Sequence, residues 1–345
     1  MDTHPQADTR PSQTDDATTE AVTHGDPELD AAVVERPSGL AYRRFGIKTM
    51  ATTLVSGFLM GSADIVPGVS GGTVALVLGI YERLVANVRQ GARAASLLVR
   101  GKLRLAMHGL GLIEWTFLAP LLIGIVLAVL TLASGLEHLL ENEPVFLAAA
   151  FFGLVLGSAV VAYTEIDDLT RLDVHAVVLV SAVVTFFALG LRTGRFEDPS
   201  LLVVFGGGAL AICAMILPGI SGSFILLMIG LYEGILGAVN DRDVATIVTF
   251  AAGAAVGLGS FATLLNWLLR RYHGIVLAAL IGLMLGSLRV LWPWPAGEDG
   301  VGDTALGAPT AGEFWPALGL MFVGAVAVIA IALTARALSE ADDPS

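Results

Sequence analysis

Cysteine, lysine, histidine and charge are all scarce in this 345-residue chain. The single cysteine, Cys213, excludes a disulfide framework and any cysteine-based metal centre. No two of the six histidines stand at ligand spacing, so neither a metal nor another cofactor is expected. A Ser/His/Asp grouping, an HExxH string, a P-loop and a GxGxxG string are all missing. An enzyme, an intramembrane protease and an ATP-driven pump are therefore without support. Charged residues make up 14% of the chain, against about 25% in soluble domains. The net charge is −12 with no basic face, which excludes a nucleic-acid binder.

What fills the chain is apolar: 55% hydrophobic residues and a mean hydropathy of +0.77. Apolar segments fall at about 49–66, 72–88, 113–133, 145–163, 174–191, 200–217, 222–239, 244–268, 274–292 and 314–336. Several reach the roughly 20 residues that cross a bilayer. A soluble globular enzyme is ruled out, and the class is an all-α, polytopic helical membrane protein. The acids lie mostly outside these segments. Residues 1–38 carry nine of them against Arg10 and Arg36, so 1–42 reads as a disordered acidic tail without the layout of a signal peptide. Residues 337–345 form a second acidic tail. Acidic soluble parts with only Lys48 and Lys102 against 17 arginines fit either a salt-loving host or GC-rich codon usage.

Two pairs of segments are separated only by Pro67-Gly68-Val69-Ser70-Gly71 and by Pro218-Gly219-Ile220-Ser221, each a helical hairpin broken at a Pro-Gly turn. The hairpins are copies. Residues 57–88 and 208–239 align without a gap at 13 identical positions of 32, including the P-G-x-S-G string and the G-x-Y-E string that follows it. Generic hydrophobicity matches leucines, but it does not match those strings at a fixed distance. The chain therefore divides into repeat 1 over 43–192 and repeat 2 over 193–336, each a hairpin (49–88, 200–239) followed by three spans. A hairpin returns to the side it came from, so three crossings place the second hairpin on the opposite face. Inverted repeats of this kind suit alternating access. The basic flanks of the first hairpin, Arg43, Arg44 and Lys48 before it and Arg83 to Arg104 after it, put those flanks and both termini in the cytoplasm. The loops at 164–173, with four acids against Arg171, and around Arg192 and Arg195 fit that orientation poorly.

A backbone broken inside the membrane must face protein or a watery cavity. The arm after each turn begins with unpaired N–H groups and a partial positive charge, suited to a phosphate or carboxylate. Hydroxyls and glycines stand there, making Ser70, Gly71, Gly72, Thr73, Ser221, Gly222 and Ser223 the candidate substrate-binding residues, with Pro67, Gly68, Pro218 and Gly219 breaking the helices. One such string alone reads as helix packing; its duplication points to a transport site. Asp64 is the only acid in the core of either hairpin, and Met215 stands in its place in the second copy. It is a candidate for proton or sodium coupling or for gating, the alternative being a protonated or helix-capping acid. Glu82 and Glu233, beside Tyr81 and Tyr232, read as interfacial anchors at the arm ends or as gating residues. Arg289 reads as a snorkelling residue or a contact for a lipid phosphate. The Arg83–Arg104 run also suits anionic lipid. Asn266 and His175, near span ends, read as satisfied locally.

The string G-S-A-D-I-V-P-G-V-S-G-G-T at 61–73 with G-I-Y-E at 79–82, and I-L-P-G-I-S-G-S at 216–223 with G-L-Y-E at 230–233, resemble the two motifs of a known family. That family, formerly catalogued only as a domain of unknown function, is the polyprenyl-phosphate (undecaprenyl-phosphate) translocases of bacteria. The resemblance runs over roughly 45–336. It implies a lipid flippase that returns a polyprenyl-phosphate carrier to the cytoplasmic leaflet after glycan transfer in cell-envelope synthesis. In a haloarchaeal host it would imply a dolichyl or polyprenyl phosphate serving glycosylation. The residues alone leave two other readings open, a transporter of a small soluble anion or cation and a non-transporting membrane scaffold.

Overall fold

A computed structural model describes residues 47–65, 70–166, 170–191, 199–296, 305–310 and 312–341. Pro67, Gly68, Arg43, Arg44, Arg192, Arg195 and the tail 1–42 lie outside them. The described residues form thirteen α-helices and no strand: α1 (Ile47–Asp64), α2 (Gly71–Val77), α3 (Tyr81–Val99), α4 (Leu103–Gly111), α5 (Trp115–Asn142), α6 (Pro144–Tyr163), α7 (Leu172–Ala188), α8 (Leu201–Ile216), α9 (Gly222–Met228), α10 (Tyr232–Asn240), α11 (Val244–Arg271), α12 (His273–Ser287) and α13 (Phe314–Ala341). Four of them, within α5, α6, α11 and α13, are long and apolar enough to cross a membrane, and a bent pair, α9 with α10, makes up to five. Their outward side chains are apolar, as Ile123 and Leu130 on α5 and Phe322 on α13 show. A polar solvent does not tolerate so continuous an apolar surface, whereas lipid requires it.

Two sequence expectations are corrected. The arms at 72–88 and 222–239 are each two helices, not one. Gly79 (φ +67°) and Gly230 (φ +72°) adopt the left-handed conformation that ends α2 and α9, and the chain turns before Tyr81 and Tyr232. Only glycine takes that conformation cheaply. In the second copy the two halves are bent by 109°. The repeated G-x-Y-E string is thus a second helix break, and Glu82 and Glu233 open helices α3 and α10 instead of closing an arm. The spans expected at 174–191 and 274–292 are also shorter as α-helices. Beyond α12, Arg289, Val290, Leu291 and Trp292 each donate to the carbonyl three residues back, so the chain tightens into 3₁₀-type turns.

The helices pack in four long pairs: α1 with α5, α8 with α11, α6 with α13, and α7 with α12. Exchanging the repeats turns the first pair into the second and the third into the fourth. Glycines on the shared faces let backbones touch, as small residues do in membrane helix pairs. A Cβ on Gly124 would lie 2.1 Å from the Leu54 carbonyl oxygen, and one on Gly253 would lie 2.0 Å from that of Phe205. On the exchanged pairs, Gly153 approaches Met321 and Gly282 approaches Val178 in the same way. With the pairs in view, a further repeat is visible that the hairpin alignment does not reach. A-A-F-F-G-L-V-L-G-S at 149–158 and A-A-L-I-G-L-M-L-G-S at 278–287 are identical at seven of ten positions.

The first repeat carries one extra lock. Arg83 on α3 pairs with Glu114 at 2.6 Å and lies 4.2 Å from the Phe117 ring centre. Asn87 accepts from the Glu114 N–H and donates to the Arg83 carbonyl. Arg83 therefore ties α3 to the start of α5 as well as contributing to the basic flank.

Candidate functional site

The two turns meet. Ser70, at the N-cap of α2, donates to the Leu217 carbonyl at 3.3 Å, and Tyr81 donates to the Ile216 carbonyl at 3.0 Å. Both acceptors are at the end of α8, immediately before Pro218. Tyr81 is 2% exposed. It is therefore a buried strut between repeats, away from the interfacial level at which its neighbour Glu82 was expected, while Tyr232 in the second copy is exposed. The strut satisfies a carbonyl that the helix break would otherwise leave bare. Tyr81→Phe is expected to cost about 1–3 kcal/mol and to lower the thermal midpoint in detergent by several degrees. An unchanged midpoint would deny the strut its role.

Around the first turn the new helix end is occupied by the protein's own groups. The Gly71 N–H donates to Asp64 Oδ1 at 2.6 Å, the Gly72 N–H to Ser70 Oγ at 3.1 Å, and the Thr73 N–H to the Ser70 carbonyl at 2.9 Å. Asp64 thus caps the helix that follows it, the alternative the sequence left open for this acid. Its carboxylate lies where an external anion would otherwise meet the Gly71 N–H. Ser70 uses its hydroxyl twice, to receive Gly72 and to reach Leu217. Thr73 is 2% exposed, and its hydroxyl has no hydrogen-bond partner among the described residues.

The second turn is built alike and left open. Met215 stands where Asp64 does and brings no acceptor; its thioether lies beside Gly222. Among the described residues no side chain caps the N–H groups of α9. Ser221 and Ser223 bond each other, Oγ to Oγ, at 2.8 Å, and Ser223 is exposed. Pro218 and Gly219 are buried, and Gly219 takes φ +85°. A Cβ there would lie 2.9 Å from Met284 Cα and 2.8 Å from Ser287 Oγ, so this turn is seated on α12. Ser287 matches Ser158 in the second sequence repeat. Ser158 in turn lines a cavity beside Thr73. These two serines and the Tyr81 hydroxyl escaped the sequence reading. The duplicated G-L-x-L-G-S string was the signal that would have found the serines.

The remaining candidates sit apart from the turns. Glu82 pairs with His273 Nδ1, the first residue of α12, at 2.9 Å. Arg289 lies 4.6 Å from the Phe186 ring centre with its guanidinium against Gly190, beside the C-terminal end of α7 where a cation is favoured. His175 meets the Tyr163 hydroxyl at 2.6 Å and is satisfied locally, whereas Asn266 accepts at 2.9 Å from Arg89 on α3, a partner in the other repeat. Burial, then the nearby Arg270 and Arg93, lower the pKa of Arg89. Three guanidiniums are thus gathered where the middle of α3 meets the C-terminal end of α11. Among the described residues no group of acids, histidines and cysteine is arranged to hold a metal ion.

Residues 60–305 match the undecaprenyl phosphate translocase-like family. A polyprenyl-phosphate transporter of Vibrio cholerae is 41% identical over 251 residues, covering 72% of this chain and 80% of the relative. A polyprenyl-phosphate transporter of Staphylococcus aureus is 30% identical over 258 residues, covering 70% of this chain and 85% of the relative. No solved structure matches the chain.

Proposed function

Because the chain belongs to the undecaprenyl phosphate translocase-like family, we propose that it is a polyprenyl-phosphate transporter that receives the lipid phosphate at the second turn. The observation that carries this reading is the difference between two otherwise equivalent turns. One helix end holds its own carboxylate; the other offers uncapped N–H groups and the hydroxyls of Ser221 and Ser223. Backbone N–H groups and hydroxyls around an anion are a general phosphate cradle, and charge-assisted bonds of this kind are the strong ones. Beyond its first units the polyprenyl tail stays in lipid.

The two repeats are inverted in this proposal, with both termini cytoplasmic and the turns approaching from opposite faces. The exchange of helix partners between α6–α13 and α7–α12 supports that symmetry, and the basic flanks of α1 and α3 support the orientation. Asp64 is the coupling group. A phosphate arriving at the first turn competes with the Asp64 carboxylate for the Gly71 N–H, so the acid must be neutralised by a proton or a sodium ion, or move. Glu82 and Glu233, at the second helix breaks, act as gates. Arg289 and the gathered Arg89, Arg93 and Arg270 contact anionic lipid. The physiological direction is return of the carrier to the cytoplasmic leaflet.

The test is reconstitution of the purified chain in liposomes with a polyprenyl phosphate and a readout of its leaflet exchange. Exchange by the wild type is expected, and it should respond to a proton or sodium gradient. Asp64→Asn keeps the size of the side chain and removes the charge; it is expected to slow gradient-driven exchange about tenfold. A wild type that exchanges no polyprenyl phosphate, with or without a gradient, would refute the proposal.

A further inference from the structure

The strongest unassigned feature is a cavity of about 180 Å³ beside the first turn. Its walls come from both repeats: Leu59 and Ala63 of α1, Thr73 and Val77 of α2, Leu154 and Ser158 of α6, and Val328 and Ile331 of α13. It has a direction. Ala63, Thr73, Val155 and Ser158 are buried, whereas Ile331 is 42% exposed on a lipid-facing helix. The slot therefore runs sideways from the lipid surface to the turn.

The chemistry along it is graded. The lipid end and the walls are apolar. Three hydroxyls line it, two of them already spent: Ser62 donates to the Phe58 carbonyl and Ser158 to the Leu154 carbonyl, each at 2.7 Å. The third, on Thr73, is buried with no partner among the described residues. Buried polar groups are nearly always hydrogen-bonded, so an orphaned hydroxyl on a cavity wall marks a missing acceptor. A phospholipid does not fit. At about 180 Å³ the slot is matched to the end of one chain, not of two.

We infer that this slot holds the first isoprene units of a single-chain lipid phosphate once its head group has passed from the second turn to the first, with the Thr73 hydroxyl then donating to an oxygen of that head group. The inference rests on the transporter reading and deepens it by naming where the tail is gripped. It gives a selection rule: a single chain with its anionic end buried is accepted, and a two-chain lipid is not. It also places the head group two residues along α2 from Gly71, whose N–H bonds the Asp64 carboxylate.

The test uses the full chain in lipid nanodiscs with Cys213→Ala, which leaves no native thiol, and one reporter at a time, Val328→Cys or Ile331→Cys. The rate of modification by a membrane-soluble maleimide is followed with a polyprenyl phosphate, with dioleoyl phosphatidate, or with inorganic phosphate. The polyprenyl phosphate is expected to slow labelling at least fivefold at both positions, the other two less than twofold. Adding Thr73→Val, which keeps shape and removes the hydroxyl, is expected to raise the half-protecting concentration about tenfold. Equal protection by phosphatidate would overturn the inference, since the slot would then be a general lipid crevice. Protein that still exchanges polyprenyl phosphate in liposomes but shows no protection at either cysteine would overturn it too, leaving transport intact. Protection without exchange would support the slot and sink the transporter reading instead.

Discussion

Replacing Ser221 and Ser223 together by alanine is expected to slow leaflet exchange of a polyprenyl phosphate by roughly 10²-fold or more. Each hydroxyl at the open turn contributes one hydrogen bond to a charged oxygen, about 1.5–3 kcal/mol apiece, and each 1.4 kcal/mol is a factor of ten. The folded protein loses little, because among the described residues the two hydroxyls bond only each other and Ser223 is exposed. The thermal midpoint of the double variant should therefore stay within a degree or two of wild type. Ser70→Ala at the equivalent position of the first turn differs in kind. Its hydroxyl bridges Gly72 and Leu217, so it should act mainly on stability. Wild-type exchange by the double variant would move the phosphate site away from the second turn.

The largest effect on folding is expected from one added methyl group. In Gly253→Ala the new Cβ would sit 2.0 Å from the Phe205 carbonyl oxygen, with Phe205 Cα at 3.0 Å. The obstacle is backbone on both sides, with no side chain that can swing away. Helices α8 and α11 must part by more than an ångström along a contact that carries the second turn at its end. Overpacking of a core costs about 1–3 kcal/mol and occasionally more, and a backbone clash belongs at the upper end. With about 2–4 °C per kcal/mol, the midpoint in detergent should fall by about 10 °C, or the protein should fail to accumulate. Gly319→Ala is the control. Nothing lies within 4 Å of its Cβ position on α13, and alanine is the better helix former. If both variants melt like the wild type, close backbone contact at α8–α11 does not hold this fold together.

Composition and the length of the apolar runs settled the class of this protein, because the bilayer tolerates only backbone that is internally hydrogen-bonded and outward faces that are apolar. The duplicated P-G-x-S-G and G-x-Y-E strings located both turns, and the mismatch of Asp64 with Met215 marked where the copies diverge. The repeated strings also implied the family to which the chain belongs. Three things were beyond local pattern. The arms read as single helices because hydropathy runs through Gly79 and Gly230 without a dip, while their positive φ breaks each arm in two. Glu82 read as an anchor because the neighbouring Tyr81 is of a type common at the membrane surface, and only a partner 135 residues away makes that tyrosine a buried strut. Which turn is closed and which open depended on the Asp64 side chain reaching the Gly71 N–H, and on Met215 offering nothing equivalent. Helices that are apolar on every side carry no stripe to say which face meets which neighbour. The pairing of α6 with α13 and α7 with α12, and the slot that the first of these pairs helps to wall, come from backbones approaching at glycines. That choice is made by steric fit across the two repeats, and it exists only once the chain has folded.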